Sequence, residues 1–209
     1  MENGISTVVF DFGGVLIDWN PRYLYRKLLR DEPEVEWFLA NICTSEWNAQ
    51  QDAGRPMREA CELLVAEHPE HEEMIRAYYD RWEEMIAGPI DGTVEILRRL
   101  RETPVGLYGL TNWSAETFPV ARQKFEFLNW FDGIVVSGEI RMIKPDPAIF
   151  HHLIESFDIV PEQSVFIDDS SPNVETARSI GFRGIHFEDP DQLRRALEQH
   201  GIHLNDDND

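Results

Sequence analysis

The sequence predicts a doubly wound α/β protein, a parallel sheet with helices packed on it and an all-helical cap inserted after the first strand. Three observations point to this. Short β-branched and aromatic runs recur through the C-terminal half and alternate with helical patterns, as βαβ units do. Roughly ninety residues separate the first such run from the second, and they show helical apolar spacing with no convincing strand. The first run, Val8, Val9 and Phe10, ends in Asp11 and then Phe12, Gly13 and Gly14, a buried strand opening into a loop whose backbone can approach an anion closely. Ligands of open α/β sheets bind at such strand ends.

In chain order, residues 7–10 form the first strand. Residues 17–88 form the cap, with helical spacing in Tyr23, Leu24, Leu28 and Leu29, in Ala60, Leu63 and Leu64, and in Ile75, Tyr78, Tyr79 and Trp82. Its limits fall in two turn-rich stretches, residues 18–21 and 88–92. Further strands are expected near 105–110, 134–137, 164–167 and 184–187. Asp146 before Pro147 and Asp189 before Pro190 each place a capping carboxylate ahead of a proline at the first helical position, giving helices near 146–157 and 190–200, with Gly201 ending the second. The core is therefore residues 1–16 and 89–204. The polar, acidic residues 205–209 are expected to be a flexible tail.

The 209 residues suffice for one domain with an inserted subdomain. With 39 acidic against 19 basic side chains, the formal charge of −20 repels nucleic acid phosphates and anionic lipid headgroups, and neither is expected as a partner. Cys43 and Cys61 are too few for a disulfide framework and lack metal-ligand spacing, which suits a reducing cytoplasm. No apolar run reaches membrane-spanning length, and residues 1–4 lack the character of a signal peptide. A monomer and a dimer are both compatible with the sequence.

Three more polar elements follow Asp11 in order. Residues 105–110 end in Thr111 and Asn112; Lys144 stands before Pro145, Asp146 and Pro147; residues 164–167 end in Asp168 and Asp169. Asp11, Thr111, Lys144 and the Asp168/Asp169 pair together resemble the four motifs of the haloacid dehalogenase superfamily, in its helical-cap, phosphatase-like branch. The resemblance spans roughly residues 5–187 and implies a Rossmann-like core.

It also implies a chemistry. Asp11 would attack a phosphoryl group to give an aspartyl phosphate, which water then hydrolyses. Mg²⁺ would be held by Asp11, the carbonyl of Gly13 and Asp169, with Asp168 acting through a water or behind these ligands. Lys144 would be the cation facing the phosphoryl oxygens and Thr111 a hydroxyl donor, with the backbone N–H groups of Phe12 and Gly13 completing an anion nest. Asn112 is expected to contact substrate or to support these groups, and Asn173 to hold the acidic loop or serve a turn. The substrate would be a small phosphorylated metabolite, such as a sugar phosphate.

One position departs from the pattern. The phosphatase branch usually carries a second aspartate two residues after the nucleophile, as general acid and base, and here that position is Gly13. A sub-branch including sugar-1-phosphate phosphatases shares this glycine. Asp18, Asp52 and the histidines are candidate replacements, none singled out by sequence. The loss keeps two alternatives open: a metal-free 2-haloacid dehalogenase, whose halide leaving group needs no proton, and a catalytically weak relative that binds a phosphorylated ligand or a partner. Adjacent Asp168 and Asp169 argue against the first, since they would repel a haloacid carboxylate. Substrate reading is expected from the polar, turn-rich residues 45–56, where Trp47, Gln51 and Arg55 are candidates to stack on or hydrogen-bond a sugar phosphate, with ordinary packing as the competing role. Trp19 and Trp113 are placed to wall the site or to pack beneath it.

Overall fold

The computed structural model describes residues 4–204, so the expected tail lies outside the described residues. The strands are β1 (Thr7–Phe10), β2 (Ile17–Trp19), β3 (Ile86–Pro89), β4 (Gly106–Thr111), β5 (Gly133–Val136), β6 (Ser164–Asp168) and β7 (Arg183–His186). Five make one sheet in the order β5-β4-β1-β6-β7, with every neighbouring pair parallel. These are the five strands expected from sequence, each displaced by no more than one residue.

The centre of the sheet is buried on both faces. Every residue of β1 and β6 is buried, as continuous apolar strands of a covered parallel sheet must be. Side chains alternate between the faces. Val8 and Phe10 join the cluster built with helices Asp91–Leu100, Phe118–Lys124 and Pro190–Gln199. Val9 joins the opposite cluster, with helices Pro147–Phe157 and Ser171–Ile180. The chain builds outward from β1 through β4 to β5, then crosses back to place β6 and β7 on the other side. The strand order therefore diverges at β1, and the crevice at its carboxyl end is where an open α/β sheet binds its ligand.

The helix caps act as the sequence suggested. Asp146 accepts the N–H of Ala148, Asp189 accepts that of Gln192, and Gly201 follows the last helix at φ +83°. Between β2 and β3 lie α-helices Arg22–Leu28, Glu32–Asn41, Ser45–Asp52, Met57–Glu67 and Glu72–Asp80. They enclose a hydrophobic cluster of their own, centred on Leu24, Tyr25, Phe38, Ala60, Ile75 and Tyr78. The antiparallel pair β2–β3 closes the base of this unit and corrects the expectation of no strand there. Strands of three and four residues, one containing Gly88 and Pro89, are too short to show an alternating pattern.

Polar contacts seat the helical unit on the core. Ser137 Oγ donates to the Asp52 carbonyl at 2.5 Å and accepts the Trp113 N–H at 2.9 Å, while Glu116 accepts the Met57 N–H at 2.7 Å. Within the core beside this junction the backbone packs closely at Gly138, where an added Cβ would lie 2.5 Å from Ala115 N and 2.8 Å from Trp113 O. Backbone atoms cannot swing aside as side chains can. Gly138→Ala is therefore expected to cost about 1–3 kcal/mol of unfolding free energy. Urea denaturation checks this, and an unchanged midpoint would show that the backbone there yields.

Candidate active site

Because β1 lies between β4 and β6, three polar residues gather at one sheet edge: Asp11 directly after β1, Thr111 ending β4 and Asp168 ending β6. Lys144 reaches them from the loop before helix Pro147–Phe157. Its ammonium lies 2.9 Å from Asp11 Oδ1 and 2.7 Å from Asp168 Oδ2, and its side chain is wholly buried. The main chain of this lysine is clamped as well. Asn112 donates Nδ2–H to the Lys144 carbonyl and accepts the Lys144 N–H at Oδ1, both at 2.9 Å. Both ends of the Asn112 amide are thereby engaged, making it a residue that positions Lys144.

Asp168 is held from several sides. Its Oδ1 accepts the Ser170 N–H at 2.8 Å, and Asn173 Nδ2 lies 3.0 Å from each of its oxygens. Such satisfaction is what a fully buried carboxylate requires. Asp169 is exposed at the rim, with His186 Nε2 at 2.9 Å from its carbonyl oxygen. Gly14 makes room for it: the residue sits at φ +74°, and an added Cβ would collide with the Asp169 carboxylate. Gly13, by contrast, faces open space.

Asp11, Asp168 and Asp169 each offer an oxygen, and these atoms lie within 4.8 Å of one another. Three carboxylates beside one lysine leave surplus negative charge and hard oxygen donors, a set that fits a divalent cation. The electrostatics reflect the crowding. Burial pushes the Asp11 carboxyl up to about 7, with Asp168 and Asp169 adding to the rise and Lys144 opposing it. At the rim, partial desolvation of the Asp169 carboxyl on its cluster-facing side raises its pKa, and the Asp168 charge adds to the rise. Burial acts against the charge on Lys144, yet Asp11 and Asp168 hold its pKa above the ordinary lysine value.

Other sequence candidates lie elsewhere. Phe12 is buried against Phe118 and Phe131, and its N–H is bonded to Asp11 Oδ1 at 2.7 Å, so it steadies the carboxylate instead of standing free in an anion nest. Residues 45–52 form a helix, not a loop, started by Thr44 Oγ1 accepting the Trp47 N–H. That helix turns Trp47 into the cluster of the helical unit, against Tyr78 and Tyr79. Gln51 is fully buried and donates to Trp47 O at 2.7 Å and to Tyr79 Oη at 2.9 Å, while Arg55 donates to Gln51 Oε1 at 2.7 Å. These three residues build the unit's interior and do not line the cavity beside Asp11.

That cavity lies between the helical unit and the sheet edge. Gly13 and Asn112 open onto it; Trp19, Met57, Tyr78, Trp82, Met85 and Trp113 form its apolar wall. Its carboxyl among the described residues is Asp52. A directed chain ends there: Tyr79 Oη donates to Asn48 Oδ1 at 3.0 Å, and Asn48 Nδ2 donates to Asp52 Oδ2 at 3.0 Å. Burial pushes the Asp52 carboxyl up to about 7, against the Ser114 N–H, which pulls it down. The sequence offered Asp52 as one of several candidate acids without singling it out, since the cavity wall comes from well-separated segments.

A doubly wound sheet with a carboxylate cluster and a buried lysine at its switch point defines a hydrolase class, and the sequence matches one over most of its length. The chain belongs to the haloacid dehalogenase-like hydrolase family, whose profile it matches over residues 5–181. It is 29% identical over 187 residues to the sesquiterpene phosphatase astK of Aspergillus oryzae, covering 88% of this chain and 90% of that protein. It is 26% identical over 191 residues to a phosphorylated carbohydrates phosphatase of Thermotoga maritima, covering 87% and 84%. Its fold resembles a HAD family enzyme from Bacteroides thetaiotaomicron solved with magnesium and inorganic phosphate, with a TM-score of 0.68 and 24% identity, covering 89% and 96% of the two chains. Among the described residues, no helix is long and apolar enough to cross a membrane.

Two expectations follow from the electrostatics. Lys144→Met leaves Asp168 buried without its cation and should cost about 3–5 kcal/mol of stability in urea unfolding; a cost below about 1 kcal/mol would show that the pair carries little weight. Asp52 binds its proton more tightly folded than unfolded, so the native state holds the extra proton between about pH 4 and about 7, and the group's contribution falls as pH rises through that window. Asp52→Asn should therefore gain stability relative to wild type from pH 4 to 7 and then hold level, a trend absent if Asp52 is ionised throughout.

Proposed function

We propose that this protein is a Mg²⁺-dependent phosphomonoester hydrolase acting on a small phosphorylated metabolite, with Asp11 as nucleophile. The observation that carries this reading is the grouping of Asp11, Asp168 and Asp169 at the strand ends, with the buried ammonium of Lys144 on Asp11 and Asp168. A metal-free dehalogenase has no use for the surplus carboxylates, and a binding module has no use for a nucleophile among them.

Asp11 attacks phosphorus in line, the bond to the ester oxygen breaks, and the phosphoryl group rests on the aspartate. Water then attacks that phosphorus and returns the Asp11 carboxylate with inorganic phosphate. Lys144 and the Phe12 N–H both hold Oδ1 of Asp11, fixing the direction of the carboxylate before substrate arrives. Lys144 and the buried Thr111 hydroxyl serve the phosphoryl oxygens as negative charge spreads over them. A bound Mg²⁺, held by Asp11, Asp169 and the Gly13 carbonyl with Asp168 behind them, would neutralise phosphate charge and let the two anions meet. With glycine at position 13, we assign proton transfer at the leaving oxygen to Asp52, the carboxyl in the adjoining cavity. We read residues 17–88 as the cap that shields this chemistry from water. The relatives support phosphate-ester chemistry: one is named for sesquiterpene phosphates and one for phosphorylated carbohydrates.

The test is phosphate release from an aryl phosphate with Mg²⁺ and with EDTA, with Asp11→Asn as the control. Turnover with Mg²⁺ that falls to background in EDTA and in Asp11→Asn is expected. Turnover that survives either change would remove the metal or the nucleophile from the account, and chloride release from a chlorinated acid in EDTA would favour the dehalogenase.

A further inference from the structure

Resting on the phosphatase reading above, we infer that the leaving group is the alcohol of an apolar compound, housed in the cavity beside Asp11, so that the substrate is a hydrophobic phosphomonoester and not a sugar phosphate. The cavity adjoins the chemical centre, because Gly13 of the nucleophile's own loop and Asn112 beside Thr111 are part of its lining. A leaving group extending from a phosphoryl group on Asp11 enters it.

The character of the wall decides what fits. Three tryptophans contribute, Trp82 and Trp113 meeting edge to face with ring centroids 6.5 Å apart, and Trp19 stands 37% exposed although it is a large apolar side chain. Trp82 and Trp113 also pack among the core residues, so they hold a formed surface. A polyol would instead need free donors and acceptors, since each hydroxyl buried without a partner is penalised. Several of the cavity's polar groups are already engaged with one another. Asn112 is bonded at both ends to Lys144, Asn48 to Tyr79 and Asp52, Ser114 Oγ accepts the Glu116 N–H at 3.1 Å, and Thr117 Oγ1 accepts the Trp113 indole N–H at 3.0 Å. The lining also lacks a cationic side chain among the described residues, so nothing there recognises a second phosphate or a carboxylate. Phosphate is thus recognised at the sheet edge, and an apolar body in the cavity.

The experiment compares kcat/KM for butyl, hexyl and octyl phosphate with that for glucose and ribose phosphates, using the Mg²⁺-loaded protein and acetyl phosphate as a reference whose leaving group does not fill the cavity. Each buried methylene should raise kcat/KM about fourfold, or roughly 250-fold from butyl to octyl. Octyl phosphate should exceed both sugar phosphates. Trp19→Ala should reduce the octyl value severalfold more than it reduces the acetyl phosphate value. Acetyl phosphate turnover with no gain along the alkyl series, or with a preference for sugars, would overturn the inference and leave the phosphatase intact. No turnover of any of these phosphates, acetyl phosphate included, would overturn the phosphatase reading itself. In that case calorimetric titration of the alkyl phosphates decides the pocket, with affinity rising along the series supporting the inference and a flat series overturning it.

Discussion

The buried ammonium of Lys144, shared between Asp11 and Asp168, is the constraint around which the rest of this molecule is arranged. Placing a lysine out of water is costly, and so is placing a carboxylate there; each is tolerable here because the partners lie within hydrogen-bond distance and the remaining oxygens of Asp168 are satisfied by Ser170 and Asn173. The position of Lys144 in turn depends on Asn112, which grips its backbone from the loop after β4. Three strands and two loops are thus tied through one charge. The surplus of carboxylates left over is a source of strain in the isolated chain and a source of affinity for a cation, so stability and chemistry draw on the same arrangement.

The small residues near this cluster serve different ends. Gly14 is required by its positive φ and by the approach of Asp169. Gly13 answers to no such demand, since a side chain there would meet open space. Its consequence is chemical: the loop after Asp11 carries no further acid, and the carboxyl facing the adjoining cavity comes from helix Ser45–Asp52 across the junction. The contact that seats that helix, Ser137 on the Asp52 carbonyl, therefore bears on the site as well as on the fold.

The parallel sheet, its five strands and the capped helices were legible in the sequence because they depend on local signals: apolar runs of strand length, a carboxylate before a proline, a glycine after a helix. The reading failed where several short segments had to be assembled. β2 and β3 are a pair, and neither shows a pattern by itself. The segment 45–56 looked like a loop because it is polar, yet Thr44 starts a helix whose polar side chains hydrogen-bond inside the unit, with Gln51 fully buried. Polarity was read as exposure, and satisfied hydrogen bonds are what separate the two.

By itself, then, the sequence determined the sheet, the strand ends that carry Asp11, Thr111 and Asp168, the approach of Lys144, and hence the class of hydrolase. Each is a short motif whose physics is contained in a few neighbouring residues. Only the tertiary structure decided that Phe12 and Asn112 hold other site groups in place, that Trp47, Gln51 and Arg55 face inward, and that Trp19, Trp82 and Trp113 meet Asp52 around one cavity. Those outcomes depend on which face of each helix is turned toward which neighbour. That choice is made by packing between segments far apart in the chain, where no local spacing records it.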